Sequence, residues 1–184
     1  MDTTLQQAKT KMNKSVDAMH DDFNTIRTGR ASSALFDKIK IEYYGQPTPI
    51  NQVATVSIPE ARLVVIQPWD KSVLDDIEKA IQKSELSLNP NNDGKVIRIN
   101  IPPLTEERRK EYVKMAKNMA EQARVAIRNI RRDANEDLKK QEKSSDITED
   151  DLKRGMDEIQ KMTDDFIKKI DDALEEKEKE IMEV

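Results

Sequence analysis

Lysine and arginine side chains recur along one stretch of the sequence, between residues 105 and 143. This stretch contains no Pro or Gly, and its apolar residues return at intervals of three and four, the period of an amphipathic helix. On a helical wheel its cations share one face, the basic stripe: Lys110, Lys114, Lys117, Arg124, Arg128, Arg131, Arg132 and Lys139. Arginine can donate two parallel hydrogen bonds to a phosphate group, and lysine supplies a point charge. The basic stripe therefore predicts a docking surface for a polyanion.

The opposite face of the same stretch carries the apolar residues that would pack on the rest of the protein: Tyr112, Ala116, Met119, Ala123, Ala126, Ile130 and Ala134. Only the margins of the basic stripe should then reach a neighbouring helix. The alternative is a solvated face that pairs with acidic residues later in the chain. Residues 108–143 hold 12 Lys and Arg against 6 Asp and Glu, whereas residues 144–184 hold 7 against 15. Because this asymmetry matters more than the net charge of −4, the pattern favours RNA binding.

The sequence contains no catalytic arrangement of side chains. It has no Cys and one His, no glycine-rich phosphate loop and no metal-ligand spacing. We predict a protein that is not an enzyme and that needs no cofactor or metal. The lack of Cys suits a reducing compartment, no apolar run approaches the roughly 20 residues that span a bilayer, and residues 1–13 lack the apolar core of a signal peptide. We therefore predict a cytoplasmic protein that does not bind membranes.

Two further amphipathic segments accompany this predicted helix. Residues 3–28 carry apolar side chains at steps of three and four and would end at Gly29 as a left-handed cap. The other segment begins at a capping box formed by Thr148 and Asp151 and continues to about Ile181. A chain with 37% charged and 4% aromatic residues suits long helices that share a narrow apolar seam. These features predict a three-helix bundle.

Residues 31–104 show the two-residue period of strands instead. We predict strands at 38–43, 53–58, 63–67 and 95–101, with turns at 45–49 and 89–94. Asp70 is predicted to cap a short helix, and Trp69 to anchor the packing of this region. The result is a small α+β domain inserted after the first helix.

The predicted domain organisation is therefore discontinuous. Residues 1–29 and 105–184 form the bundle, and residues 31–104 form the inserted domain. Two segments, 28–31 and 102–105, would join the two parts. Such a double connection restrains twisting and permits bending, so we predict a hinge whose residues are Gly29, Arg30, Pro102, Pro103 and Leu104.

Four segments of the sequence resemble those of the bacterial ribosome recycling factors: 26–32 (IRTGRAS), 42–45 (EYYG), 102–110 (PPLTEERRK) and 128–135 (RNIRRDAN). The resemblance runs from end to end. It implies an L-shaped pair of domains, a long three-helix bundle with a small β/α/β domain inserted after the first helix. It further implies binding to the post-termination ribosome through large-subunit rRNA at the inter-subunit bridges. With elongation factor G and GTP, such a factor splits the ribosome into subunits and releases mRNA and tRNA.

The resemblance also implies roles for individual residues. The RNA-contacting arginines of the family fall on Arg128, Arg131 and Arg132, within the basic stripe, and Arg27 and Arg30 match arginines of its first hinge segment. A ribosome factor of this kind is expected to be a monomer. The alternative hypothesis is a coiled-coil adaptor or chaperone-like module, which would form dimers and would be indifferent to RNA.

Overall fold

The computed structural model describes residues 1–183 and contains four α-helices and six strands within them. In chain order these are α1 (Asp2–Asn24), β1 (Lys40–Tyr43), β2 (Gln46–Pro49), β3 (Ala54–Glu60), β4 (Leu63–Pro68), α2 (Leu74–Lys83), β5 (Pro90–Asn92), β6 (Ile97–Asn100), α3 (Glu106–Lys143) and α4 (Glu149–Met182). The chain divides into two compact units. One contains Met1–Phe23 and Glu111–Lys179, and the other contains Asn24–Lys110 with the end of the chain from Glu180. The domain bounds proposed from the sequence stay a prediction.

The first unit is a bundle of α1, α3 and α4. The apolar residues of α1 are buried at the predicted spacing: Ala8, Met12, Val16, Met19 and Phe23. On α4 the buried positions include Ile159, Phe166 and Ile170. One core cluster joins Ala8 of α1 to Ala134 and Leu138 of α3 and to Ile159 of α4. The α+β fold with a three-helix bundle is therefore confirmed, because each helix buries one narrow stripe against the other two.

The apolar seam of α3 lies at a different angle from the one predicted. Its buried residues are Ala116, Ala120, Ala123, Ile127, Ala134 and Leu138. The predicted members Tyr112, Met119, Ala126 and Ile130 are only partly buried, at one edge of this seam. The true seam is rotated by roughly 50° towards the basic stripe, at about 100° per residue. A helical wheel counts every apolar residue equally, including those that lie only at the border of the packed seam.

The ends of the bundle helices follow local hydrogen bonds. The predicted capping box is confirmed: Thr148 Oγ1 accepts a hydrogen bond from Asp151 N at 3.0 Å, and Asp151 Oδ2 accepts one from Thr148 N at 3.1 Å. The predicted end of α1 at Gly29 is wrong. The helix ends at Asn24, and Gly29 is not among the residues with positive φ, so it does not act as a left-handed cap.

Gly155 marks a close approach between α3 and α4. A Cβ atom at this position would lie 2.9 Å from Leu138 Cδ1 and 3.3 Å from Met1 Sδ. Leu138 is completely buried, so its side chain has little room to move. Glycine here costs about 1 kcal/mol in helix propensity relative to alanine, and the close packing of the helices offsets that cost.

The variant Gly155→Ala should unfold more easily than the native chain. The added methyl group improves helix propensity, but overpacking a filled core costs about 1–3 kcal/mol, so we expect a net loss of about 1 kcal/mol. Chemical denaturation followed by circular dichroism measures the change. In a Leu138→Ala background the same substitution should be stabilising, because the clash is gone. A loss of equal size in both backgrounds would contradict this account.

The second unit contains a hairpin and a four-stranded antiparallel sheet in the order β3-β4-β6-β5. The sheet supplies Val64, Ile66, Ile97 and Ile99 to a core that α2 completes with Ile77 and Ile81. The predicted small α+β domain is thus confirmed. Asp70 caps a short 3-10 turn, Lys71–Val73, that leads into α2: its carboxylate accepts a hydrogen bond from Ser72 N at 2.9 Å. The N-cap residue of α2 itself is Val73, which has no side-chain cap, so the predicted cap is only partly right.

Both predicted turns in this unit are partly wrong. Residues 46–49 form β2, paired with β1 alone, and the turn is limited to Tyr44 and Gly45, whose φ angles are 51° and 77°. Positive φ at both central residues is typical of the tight hairpin turn that matches strand twist. Prolines are tolerated in an edge strand of this kind because they have no N–H to donate. Likewise β5 occupies 90–92, where a turn was predicted.

The interpretation of Trp69 as a packing anchor is wrong. Its side chain is 67% exposed, and its indole N–H donates a hydrogen bond to Thr55 Oγ1 at 2.9 Å. The aromatic residue that packs inward is Phe36, which is almost completely buried. The sequence around Trp69 does not indicate on which face of the unit its side chain lies, because the sheet geometry decides this.

Candidate nucleic-acid interface

The basic stripe lies on α3, a helix of 38 residues without interruption. At about 1.5 Å per residue, the cations from Lys114 to Arg132, all in the first unit, span about 27 Å. An uninterrupted helix has a constant rise per residue, which fixes the spacing of its side chains along the axis. The stripe is therefore a rigid row of charges.

Three cations of the stripe are exposed and form no hydrogen bond or ion pair with any other described residue. They are Lys114, Arg132 and Lys139. A cation without an internal partner keeps its full charge for an external anion. These residues are the parts of the stripe that are most directly available to a phosphate group.

Arg124 is the least available of the predicted binding residues. Its Nε and Nη2 atoms donate hydrogen bonds to Asp171 Oδ1 on α4 at 2.8 and 2.6 Å, and its Nη1 donates to Glu121 Oε2 at 3.1 Å. Its side chain is 19% exposed. Burial alone would lower the pKa of Arg124, but the hydrogen bonds to Asp171 and Glu121 outweigh burial and raise it. Arg124 thus joins α3 to α4.

Four other members of the stripe have weaker internal partners. Arg128 Nη1 donates to Glu121 Oε1 at 3.2 Å, and Arg131 Nη1 donates to Gln160 Oε1 at 3.2 Å. The lysines pair with carboxylates: Lys117 with Glu178 at 4.0 Å and Lys110 with Glu106 at 3.3 Å. Lys110 also belongs to the second compact unit, whereas the rest of the stripe belongs to the bundle. The exposed lysine pairs contribute little energy, so a phosphate can replace them.

Glu121 is the one carboxylate within the stripe that bonds to two of its arginines. Hydrogen bonds from Arg128 and then Arg124 lower the pKa of Glu121. The group is therefore ionised at neutral pH. Both of its carboxylate oxygens accept hydrogen bonds, which the sequence alone does not indicate.

The structure adds residues on α4 that the sequence did not single out. Asp171 and Gln160 accept hydrogen bonds from Arg124 and Arg131. The acidic composition of residues 144–184 indicates that partners for the cations lie on this helix, but it does not indicate which acidic residues face α3. Pairing needs the relative rotation of the two helices, and that rotation follows from the seam.

The predicted hinge residues lie in the second unit and are tied to their neighbours by hydrogen bonds. Arg27, the residue before the first connecting segment, donates a hydrogen bond from Nη2 to Pro102 O in the second segment at 2.8 Å. Arg30 Nη2 donates to Glu183 Oε1 at 3.0 Å. Leu104 is buried, whereas Pro102 and Pro103 are exposed. Whether these segments bend stays a prediction.

The described part of the chain contains no group of three or more His, Asp or Glu side chains placed to hold a metal ion. None of the helices within residues 1–183 is both long and apolar enough to cross a membrane.

Arg124→Met should destabilise the bundle, because methionine keeps the apolar stem but leaves Asp171 without its partner. For a partly buried pair we expect a loss of about 1 kcal/mol. Arg132→Met, a matched change at a cation without an internal partner, should cost less than about 0.5 kcal/mol. Thermal and denaturant unfolding of both variants gives the comparison. Equal losses would mean that Arg124 does not hold α3 against α4.

Comparisons with known proteins identify the family of this chain. A family model described as ribosome recycling factor matches residues 19–182. The ribosome-recycling factor of Oleidesulfovibrio alaskensis is 59% identical over 184 residues, with 100% of both chains covered. That of Clostridioides difficile is 58% identical over 179 residues, with 97% of each chain covered. The chain belongs to the ribosome recycling factor family, and the resemblance noted in the sequence is confirmed.

Two solved structures are also similar. A solution structure of a ribosome recycling factor has a TM-score of 0.81 and 45% identity, covering 100% of this chain and 97% of that chain. The T. thermophilus ribosome recycling factor, described with E. coli elongation factor G on the E. coli post-termination complex, has a TM-score of 0.69 and 49% identity, with 98% of each chain covered.

Proposed function

We propose that this chain recycles ribosomes after translation termination, as a factor that binds and moves rather than as an enzyme. In this proposal it binds the post-termination ribosome through large-subunit rRNA at the inter-subunit bridges. With elongation factor G and GTP it then splits the ribosome into subunits and releases mRNA and tRNA. Its place of action would be the cytoplasm. Membership of the family supports the role, and a relative described together with elongation factor G on a ribosomal complex supports the partners.

The rigid row of cations on α3 is the observation that carries the RNA-binding part of this proposal. Arginine and lysine contacts to phosphates supply most of the affinity in such interfaces and fix the position of the protein on the nucleic acid. We assign direct contact to four exposed members of the stripe and to the half-buried Arg131: Lys114, Lys117, Arg128, Arg131 and Arg132. Arg124 would act from behind, by positioning the stripe through its bonds to Asp171 and Glu121.

The apolar seams of the bundle bear on the alternative of a coiled-coil adaptor. An adaptor that pairs through its helices needs an apolar stripe left free. Here the stripes of α1, α3 and α4 are buried on one another. Among the described residues of α3, the large apolar side chains that remain exposed are Met115 at 43% and Val125 at 45%. We therefore propose a monomer.

The connecting segments 28–31 and 102–105 would form the hinge through which elongation factor G moves the small domain. Proline restricts the backbone on one segment, and the hydrogen bond from Arg27 to Pro102 O couples the two segments. A hinge built from a few residues at element ends is a common route to domain motion. A bundle that does not bend would transmit the displacement to the ribosome.

Arg132→Glu should reduce the affinity for ribosomes by about tenfold or more, because it replaces a free cation with an anion at the proposed phosphate surface. Cosedimentation with ribosomes across a salt series measures the loss. Helicity and melting should be unchanged, since Arg132 has no partner among the described residues. The matched control is Lys161→Glu, which makes the same charge change at an exposed position of α4. Equal binding by the two variants would contradict the assignment of the stripe.

A double variant, Pro102→Gly with Pro103→Gly, should separate binding from splitting. Glycines loosen the connecting segment without touching the basic stripe, so affinity for ribosomes should stay within about twofold. Light scattering measures subunit splitting with elongation factor G and GTP. Splitting should slow by about tenfold, because a more flexible connecting segment transmits less motion. A splitting rate equal to that of the native chain would argue against the hinge.

A further inference from the structure

We propose that Glu121 is a specificity-determining residue of the basic stripe. Its carboxylate holds the guanidinium of Arg128 in one position and repels phosphates that approach in any other geometry. This inference rests on the proposed function, because it concerns the same RNA-binding surface. The chemical class that it selects is a folded RNA surface with phosphates at defined positions, as opposed to a flexible single strand.

Both carboxylate oxygens of Glu121 are occupied. Oε1 accepts a hydrogen bond from Arg128 Nη1 at 3.2 Å, and Oε2 accepts one from Arg124 Nη1 at 3.1 Å. Arg128 is seven residues beyond Glu121, which corresponds to about two helical turns. Its side chain therefore lies along the helix axis towards the amino end, the direction in which helical Cβ atoms point. The bond to Glu121 selects this orientation from the many that an exposed arginine can adopt.

Glu121 is itself held in place by Arg124. Arg124 bonds to Glu121 with one nitrogen and to Asp171 with two others, and its side chain is only 19% exposed. Asp171, Arg124, Glu121 and Arg128 thus form a chain of two acids and two bases with no net charge. A carboxylate anchored in this way stays within the stripe when an anion approaches, unlike a mobile surface acid.

The remaining donors of Arg128 are free to bind. An arginine has five N–H donors, and Glu121 accepts from one nitrogen of Arg128. The side chain of Arg128 is 44% exposed. A phosphate placed beyond the guanidinium can accept from the other donors while the bond to Glu121 persists. A phosphate on the near side meets the carboxylate instead, so the arrangement favours one geometry and penalises others.

Glu121→Gln tests this role, because it removes the charge and keeps the size of the side chain. Affinity for poly(U) should rise by about three- to tenfold at low salt. The slope of log affinity against log salt concentration should steepen by the amount that corresponds to about one more phosphate contact. Affinity for ribosomes should not rise by more than about twofold, since the gain in charge is offset by the loss of orientation at Arg128. The measured ratio of ribosome affinity to poly(U) affinity should therefore fall.

The matched control is Glu136→Gln, the same change at an exposed residue of α3 that has no partner among the described residues. It should leave the affinity ratio unaltered. Glu121→Asp separates orientation from charge: the shorter side chain keeps the repulsion, so poly(U) binding should stay low while ribosome affinity falls by about threefold. Circular dichroism and melting confirm that each variant folds.

The outcomes distinguish this inference from the proposed function. If Glu121→Gln raises the affinities for ribosomes and for poly(U) by the same factor, or behaves as Glu136→Gln does, the role of Glu121 is overturned. Arg132→Glu in the same assay reports on the stripe itself. Loss of ribosome binding in Arg132→Glu with no special effect of Glu121→Gln leaves the proposed function standing, whereas unchanged binding in Arg132→Glu rejects both.

Discussion

Burial of the narrow apolar seam shared by α1, α3 and α4 is the constraint on which the basic stripe depends. Each helix alone would expose that seam and gain little stability from its own hydrogen bonds. Packing against two partners stabilises α3, one helix of 38 residues, and the constant rise of a helix holds its cations at regular intervals. The small residues Ala116, Ala120 and Ala123 let the neighbouring helices come close along this part of the seam. The position of the basic stripe thus follows from how the opposite side of α3 packs.

The same packing divides the cations into two kinds. Because the seam is turned towards the stripe, Arg124 reaches Asp171 and Arg131 reaches Gln160 on α4. Arg132 and Lys114 lie farther round the helix and remain free within the described structure. One row of side chains therefore contains both structural ion pairs and groups available to an external anion. Internal pairing thus applies to Arg124, and the RNA-binding role proposed for the stripe falls on the cations that remain free.

Much of the fold was predictable because its signals are local. The seam of α1, the capping box at Thr148 and Asp151, and the cap at Asp70 each depend on residues within one or two turns. The hairpin was harder. Gly45 was read as the start of a longer turn, but β2 forms because strand pairing overrides the low strand propensity of two prolines at an edge. Likewise α1 ends at Asn24, before Gly29, so the glycine does not set the boundary.

The sequence by itself determined the family, the three amphipathic helices, the inserted domain and the row of cations on one helix. All of these follow from periodicity, composition and short motifs along the chain. Only the tertiary structure decided which cations are free. That decision depends on the rotation of α3 about its axis, which sets whether a guanidinium meets a carboxylate of α4 or points to solvent. A helical wheel shows which residues of a helix share a face, but it does not show which face turns towards a neighbouring helix. That rotation is fixed by packing against residues distant in the chain, such as Leu138 against Gly155.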